Sequence, residues 1–377
     1  MSLLLERDIR FRRNGLSQWW AAIDKPIFVA MMFLGACGIV LAFSTSPSIA
    51  ARTAGLEPFY FAERQIRFAI VALLLCLSIS AFTLREVRRL GVLLFGLVLL
   101  LLIAVLIIGE TRNGAQRWLS VFGFSIQPSE LAKPALIAIT AWMFSLRLAR
   151  GYIAPSIALL SGALTVLLVA RQPDYSQAAV IALTWGAIFF LTGASIVWAV
   201  SAAILAIAAG AIAYAASPYV ADRVQILFDT GASGGGEQLA TAVNAIREGG
   251  LTGIGPGEGI HKALLPDAHS DFGIAVMAEE FGLIGAGLIL IAYMVVIVRS
   301  FLAAIRVRDA FAKLALGGIG SLIALQTAVH FGVSVRLVPP TGMTLPLISY
   351  GGSSLIAMGI VFGMLLAMTR RDQDYMP

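Results

Sequence analysis

Apolar residues in this chain come in long uninterrupted runs, not in the alternating or one-sided patterns of a fold that meets water. Ten such runs lie at 27–45, 66–83, 90–109, 131–147, 153–170, 178–193, 196–216, 273–298, 312–333 and 351–369. Each approaches the roughly 18 residues that a helix needs to cross a hydrocarbon core. Lipid offers backbone N–H and C=O groups no partners, so each run is expected to be an α-helix that closes its own hydrogen bonds. The pattern predicts an all-α polytopic membrane protein of about ten transmembrane helices, with 1–377 as one integral membrane domain. One long polar interval interrupts it, 217–272, between the seventh and eighth runs. Within it Val220, Val224 and Leu227 share one helical face, and Leu239, Val243 and Ile246 share another. Two amphipathic helices lying at the membrane surface are predicted there, separated by a glycine-dense break at 231–236.

Composition agrees, with 59% hydrophobic and 13% charged residues. The net charge of +6 would suit a nucleic-acid binder, but its distribution points to a membrane. Arg7, Arg10, Arg12, Arg13 and Lys25 precede the first run, Arg85, Arg88 and Arg89 follow the second, and Arg147 and Arg150 follow the fourth. Arg299, Arg306, Arg308 and Lys313 separate the eighth and ninth, and Arg370 and Arg371 follow the last. Ten crossings put all of these on one side, the cytoplasmic one by the positive-inside bias, with both termini inside and 217–272 outside. No nucleic-acid partner is indicated. The N-terminus lacks the small-residue cleavage pattern of a signal peptide. Cys37 and Cys76 sit in apolar runs without ligand spacing, so neither a disulfide framework nor a thiolate metal site is expected. No internal repeat is visible, which speaks against a transporter of inverted halves.

The informative residues are polar groups at membrane depth, where each charge costs about 3 kcal/mol. In 127–134, Pro128 suits a first helical turn, and Glu130 and Lys133 share a face. Two readings stand there: a self-neutralising pair, or a cation offered to a substrate. Arg117, beside Trp118, can hold a phosphate bidentately, and Arg64 and Arg67 lie on the same outer side, so an anionic head group is a reason for them. The turn 171–177 is short and polar. In 338–354 three prolines and three glycines forbid regular helix, so a re-entrant segment lining a cavity is expected. The run Gly253–Gly259 lacks the context of a nucleotide loop. His261, Asp267, His269 and Asp271 match no known ligand spacing, so a metal cluster is not expected. Asp271, where the outer interval meets the eighth run, is read as the catalytic residue. Partial desolvation raises its basicity while the following helix N-terminus favours its anion, a combination that suits a general base.

Six segments tie these residues together: GAQRW at 114–118, QPSELAKP at 127–134, QPD at 172–174, LPDAHSDF at 265–272, AEEFG at 278–282 and LPLISYGGSS at 345–354. In order and spacing they resemble the SEDS family of bacterial membrane glycosyltransferases (shape, elongation, division and sporulation). SPSIAAR at 46–52, LEPFYF at 56–61 and GIGPGEG at 253–259 are similar to its division branch more than to its elongation branch. The chain departs from the family at Ser176, where glycine is usual, and at Ser334 and Thr341, where asparagine and lysine are usual.

The resemblance implies a SEDS (GT-C-like) fold with a large extracytoplasmic loop, and polymerisation of lipid II into glycan strands outside the cytoplasmic membrane at the division septum. The donor would be the strand on undecaprenyl diphosphate and the acceptor the GlcNAc 4-hydroxyl of a new lipid II, joined with inversion. Asp271 would be the base. Substrate would meet Arg64, Arg117, Glu130, Lys133, Asp174, Gln177, His269, Ser270, Ser349, Tyr350, Gly351 and Gly352. A divalent cation (Mg or Mn) could assist the diphosphate, although no ligand set for one can be read. The implied partners are a class B penicillin-binding protein with transpeptidase activity and other division proteins. Two other classes stay open on the residues alone: a lipid II flippase, and a scaffold of the division machinery.

Overall fold

The computed structural model describes residues 15–52, 56–112, 115–121, 124–146, 151–216, 218–228, 235–265 and 268–370. Arg7–Arg13, Arg147, Arg150, Arg371, Asp267 and most of the 231–236 break lie outside them. In chain order the elements are α1 (Gly15–Ala22), α2 (Lys25–Ala50), α3 (Tyr60–Ser80) and α4 (Leu84–Ile108). Three short strands follow, β1 (Glu110–Arg112), β2 (Ala115–Val121) and β3 (Phe124–Ile126). Next come α5 (Pro128–Ser145), α6 (Ile153–Ala170), α7 (Tyr175–Leu191), α8 (Ile196–Ala216), α9 (Pro218–Phe228) and α10 (Gly235–Gly249). A 3-10 turn (His261–Ala263) leads to α11 (Gly273–Arg306), α12 (Ala310–Ser334) and α13 (Gly352–Met368).

Each of the ten apolar runs is one helix, α2 to α8 and α11 to α13. Five of these, α2, α4, α6, α11 and α12, are long and apolar enough to cross a membrane, and α7, α13 and residues 196–212 of α8 are shorter apolar helices. The protein is an all-α polytopic membrane protein. On α4, Leu93, Leu97, Leu100, Ile103 and Ile107 form an exposed stripe while Val98, Leu102 and Val105 are buried. A helix that is apolar on both its inner and outer faces fits a lipid surround. The amphipathic helices expected in the outer interval are α9 and α10. On α10 the fully buried face is Leu239, Ala242 and Ala245, not the expected Leu239, Val243 and Ile246, of which the last two are half-buried, because the helix packs on α11.

At the centre, α13 is buried along almost its whole length and runs against α3. Gly359 and Gly363, four apart, make that approach close: a Cβ at Gly359 would stand 2.5 Å from the Ala72 carbonyl oxygen, and one at Gly363 2.8 Å from Ile79 Cβ. Small residues at this spacing let two backbones touch where lipid gives no hydrophobic drive for association.

The two ends of the bundle differ in chemistry. At one, Arg299 pairs with Asp24, the N-cap of α2, and Arg88 with Asp309, the N-cap of α12, at 2.6 Å. Arg370 bonds the carbonyls of Ala81 and Phe82 there. These are residues that charge bias assigns to the cytoplasm. The outer-assigned residues, including the starts of α3, α5 and α11, gather at the other end.

The three-stranded antiparallel sheet β1-β2-β3 is an addition to the expected architecture. Its sequence signal is Asn113-Gly114 between two polar-alternating stretches, the strongest short-range hairpin signature. Side chains alternate along a strand, so Arg117 shares the inward face of β2 with Ala115 and Leu119, both buried. The sheet is what turns Arg117 into the protein.

Candidate active site

Asp271 stands two residues before α11, at the end of a loop fastened to that helix. The helix breaks at Gly282, whose φ of 71° and ψ of −176° are open to glycine alone at this spot, since a Cβ would meet the Leu251 carbonyl oxygen at 2.2 Å. The break frees backbone groups for the loop. Carbonyls of Glu279 and Glu280 accept from the N–H groups of Ile254 (3.0 Å) and Gly255 (3.1 Å), and the N–H of Leu283 donates to Gly250 O at 2.9 Å. Side chains repeat the clamp. Glu279 Oε1 accepts from Ile260 N and His261 N and pairs with His261 Nδ1 at 2.9 Å. Glu280 Oε1 takes Lys262 Nζ at 2.7 Å and the Ser44 hydroxyl. Thus the GIGPGEG turn is neither a nucleotide loop nor loose chain, but a strap bound to the AEEFG segment.

Asp271 and Arg117 both border Gly342. A side chain at Gly342 would begin 3.9 Å from Asp271 Oδ2 and 4.0 Å from Arg117 Nη2, and its φ of +66° also favours glycine. The proline-rich segment therefore passes with bare backbone beside an acid and a cation. Residues 335–351 are irregular, whereas 352–354 of the stretch expected to be irregular already form the first turn of α13, and Leu345, Ile348 and Ser349 are buried.

Behind Arg117 runs a buried polar chain. Its Nη1 lies 3.6 Å from Asp174 Oδ1. Asp174 caps α7 through Gln177 N and accepts from Gln127 Nε2 at 3.1 Å. Burial pushes the Asp174 carboxyl above the usual carboxylate range, and the Arg117 guanidinium pulls it back. Gln177 Nε2 donates to Glu130 Oε1 at 2.6 Å, and Glu130 Oε2 holds Lys133 Nζ at 2.7 Å. Lys133 has no exposed side-chain area and sits among Leu136, Ile137, Ile181, Thr184, Trp185 and Ile188. The structure places Glu130 and Lys133 on each other, inside α5 and against α7.

Breaking a buried pair by removing one partner costs about 3–5 kcal/mol, whereas removing both charges is often near neutral. Lys133→Met alone should therefore lose folded protein in a detergent melting experiment. Lys133→Met with Glu130→Gln should regain most of the melting temperature and much of the activity. A double variant that melts normally yet stays inactive would instead mean that Lys133 serves substrate.

The remaining candidates cluster around the Asp271 loop. Arg64 on α3 donates to Tyr60 Oη at 3.0 Å, lies over the Tyr60 and Phe68 rings, and has no carboxylate partner among the described residues. Arg67 is neutralised by Glu63 on the exposed face of the same helix. His269 packs with Phe61 and Tyr350, and Tyr350 N donates to His269 O at 2.8 Å. The Ser349 hydroxyl donates to Ser270 O at 2.6 Å. Gly351 and Gly352 open α13, where a Cβ on Gly352 would strike the Phe68 ring. His330 of α12, which sequence reasoning passed over, also reaches Ser270 O, at 3.1 Å. Its signal was a lone imidazole inside an apolar run.

Among the described residues the one converging set of metal-ligand types is Glu248, His261 and Glu279, in the strap and not at Asp271.

A half-buried guanidinium and a half-buried carboxylate, both bordering Gly342 at the end of the bundle opposite Arg88 and Arg299, form the candidate site of this polytopic membrane protein. The chain belongs to the FtsW/RodA/SpoVE family of cell cycle proteins, whose family model matches residues 24–374. It is 37% identical over 363 residues to a Caulobacter vibrioides (strain NA1000 / CB15N) protein named probable peptidoglycan glycosyltransferase FtsW, covering 96% of this chain and 93% of that one. It is 32% identical over 361 residues to stage V sporulation protein E of Bacillus subtilis (strain 168), covering 92% and 97%. Among solved structures it is similar to a chain of a peptidoglycan synthase complex in which polymerization and crosslinking are coordinated, with TM-score 0.76, 30% identity, and 95% and 100% of the two chains covered. The rod shape determining protein RodA of Thermus thermophilus matches at TM-score 0.67 and 27% identity, covering 95% and 99%.

Proposed function

We propose that this chain is a peptidoglycan glycosyltransferase that polymerises lipid II into glycan strands, with Asp271 as general base. The observation that carries the reading is that the Asp271 carboxylate and the Arg117 guanidinium converge on Gly342. Asp271 takes the proton of the acceptor GlcNAc 4-hydroxyl as that oxygen attacks the donor's anomeric carbon. The bond from that carbon to the diphosphate oxygen breaks, the configuration inverts, and undecaprenyl diphosphate leaves with the electron pair. A diphosphate leaves as an anion, so a second carboxyl acid of the kind glycosidases use is unnecessary. Arg117 and the unneutralised Arg64 stabilise the developing charge. Asp174 holds Arg117 in place, and the Glu130–Lys133 pair anchors α5 beneath them. A divalent cation, where it takes part, would be held mainly by the substrate's own phosphates.

The charge argument supports a site facing outward, and the resemblance to the division branch supports the septal membrane. A cysteine at Thr252 should react with an impermeant thiol reagent in intact spheroplasts, and one at Ala310 should not. The reverse pattern would put Asp271 in the cytoplasm, where lipid II cannot be polymerised into the wall. The partner that fits is a class B penicillin-binding protein supplying crosslinking, as the relative in the synthase complex works beside such a function. Recovery of that partner on co-purification supports this; its absence from complexes held in mild detergent would not.

The deciding experiment uses purified protein and fluorescent lipid II in detergent. Glycan chains seen on a gel support the polymerase, since with no bilayer to cross neither a flippase nor a scaffold makes them. No chains, with or without the partner and a divalent cation, would reject it.

A further inference from the structure

The carbonyl oxygen of Ser270, one residue before Asp271, is gripped from two sides. His330 Nε2 lies 3.1 Å away, and since its partner is a carbonyl that can only accept, Nε2 carries the proton. The Ser349 hydroxyl donates to the same oxygen at 2.6 Å and itself accepts from Leu345 N at 2.9 Å. Ser349 Oγ and His330 Nε2 are 3.4 Å apart, so the two donors form one cradle. Both residues are almost wholly buried, His330 at 3% and Ser349 at 1% exposure. One residue further back, Tyr350 N holds the His269 carbonyl.

The peptide linking Ser270 to Asp271 is planar. Two donors on its oxygen therefore fix the orientation of the whole plane, and with it the direction in which the Asp271 Cα starts its side chain. No other contact of His330 would need an imidazole. Its Nδ1 has no partner, and its backbone carbonyl accepts from Ser334 Oγ whatever side chain it carries. We propose that His330 is a positioning residue for the base: the Nε2–H on the Ser270 carbonyl aims the Asp271 carboxylate at the acceptor hydroxyl. The effect on turnover rests on the polymerase reading above; the clamp itself does not.

Full-length protein carrying His330→Met, which fills the space without a donor, is compared with His330→Gln, whose amide Nε2–H reaches the place of the imidazole Nε2–H. Misplacing a catalytic group by an ångström costs about 100-fold, so His330→Met should lower kcat about 10- to 100-fold with KM for lipid II within about threefold. His330→Gln should recover to within about fivefold of the unmodified rate. Amide hydrogen exchange over 268–272 should quicken in His330→Met and stay slow in His330→Gln. Unchanged kcat in His330→Met, or equal loss in both variants, overturns the proposal. If His330→Met does not purify as a folded protein, Ser349→Ala removes the other donor, and an unchanged kcat and exchange rate there overturns it equally. Should the unmodified protein make no glycan, the polymerase reading fails while the exchange comparison still decides the clamp: equal protection in Met and Gln variants refutes it.

Discussion

Asp271→Asn should make no glycan while remaining a folded membrane protein. Asparagine keeps the size and hydrogen-bonding shape of the side chain but replaces the basic carboxylate with an amide that cannot take up a proton. Removing a positioned general base costs about 10²–10⁴-fold in rate. The residue is half-buried at the end of a strap whose fastenings run through Glu279, Glu280 and Lys262, none of which the change touches. Melting temperature and partner binding should stay within experimental error of the unmodified protein. The measurement is chain formation from fluorescent lipid II, with melting in the same detergent.

Arg117→Met should come next in size, and should damage both activity and stability. Deleting a donor aimed at developing anionic charge in a water-poor site costs about 10²–10³-fold in rate. Asp174, 2% exposed, then loses its cation and keeps only Gln127 and the Gln177 amide as partners. An ionised carboxylate left so deeply buried is destabilising by about 3–5 kcal/mol unless it takes up a proton, which the loss of Arg117 encourages. The two effects separate in a double variant. Arg117→Met with Asp174→Asn should regain most of the melting temperature and none of the rate. Recovery of the rate as well would make Arg117 a structural counter-ion to Asp174 and remove it from the chemistry.

The ten helices were legible because a run of apolar residues must be helical in lipid, whatever it packs against. Their ends were not. The helices α3 and α4 begin at Tyr60 and Leu84 instead of at 66 and 90, and α11 runs on to Arg306. Helix ends obey caps, such as the Thr83–Glu86 capping box, and these lie in polar turns beyond the apolar run. The small sheet was missed because α4's long apolar run drew attention away from Asn113-Gly114 and the alternation around it. Arg117, Asp174, Glu130 and Lys133 stood out singly as polar groups at membrane depth. Their linkage into one chain, with Gln127 and Gln177 between them, depends on α5 meeting α7 and could not be read from spacing. The sequence left open whether Lys133 neutralises Glu130 or meets substrate, and its complete burial favours the first. His330 needed the fold most of all, since only the packing of α12 against the start of α11 brings it to Ser270.

The most direct test of Asp271 as the base is lipid II binding and turnover measured side by side on unmodified and Asp271→Asn protein. A base acts in the transition state and contributes little to holding the ground state. The account predicts affinity for lipid II within a few fold of the unmodified protein and no detectable glycan. Polymerisation by the Asn protein at near the unmodified rate would contradict it.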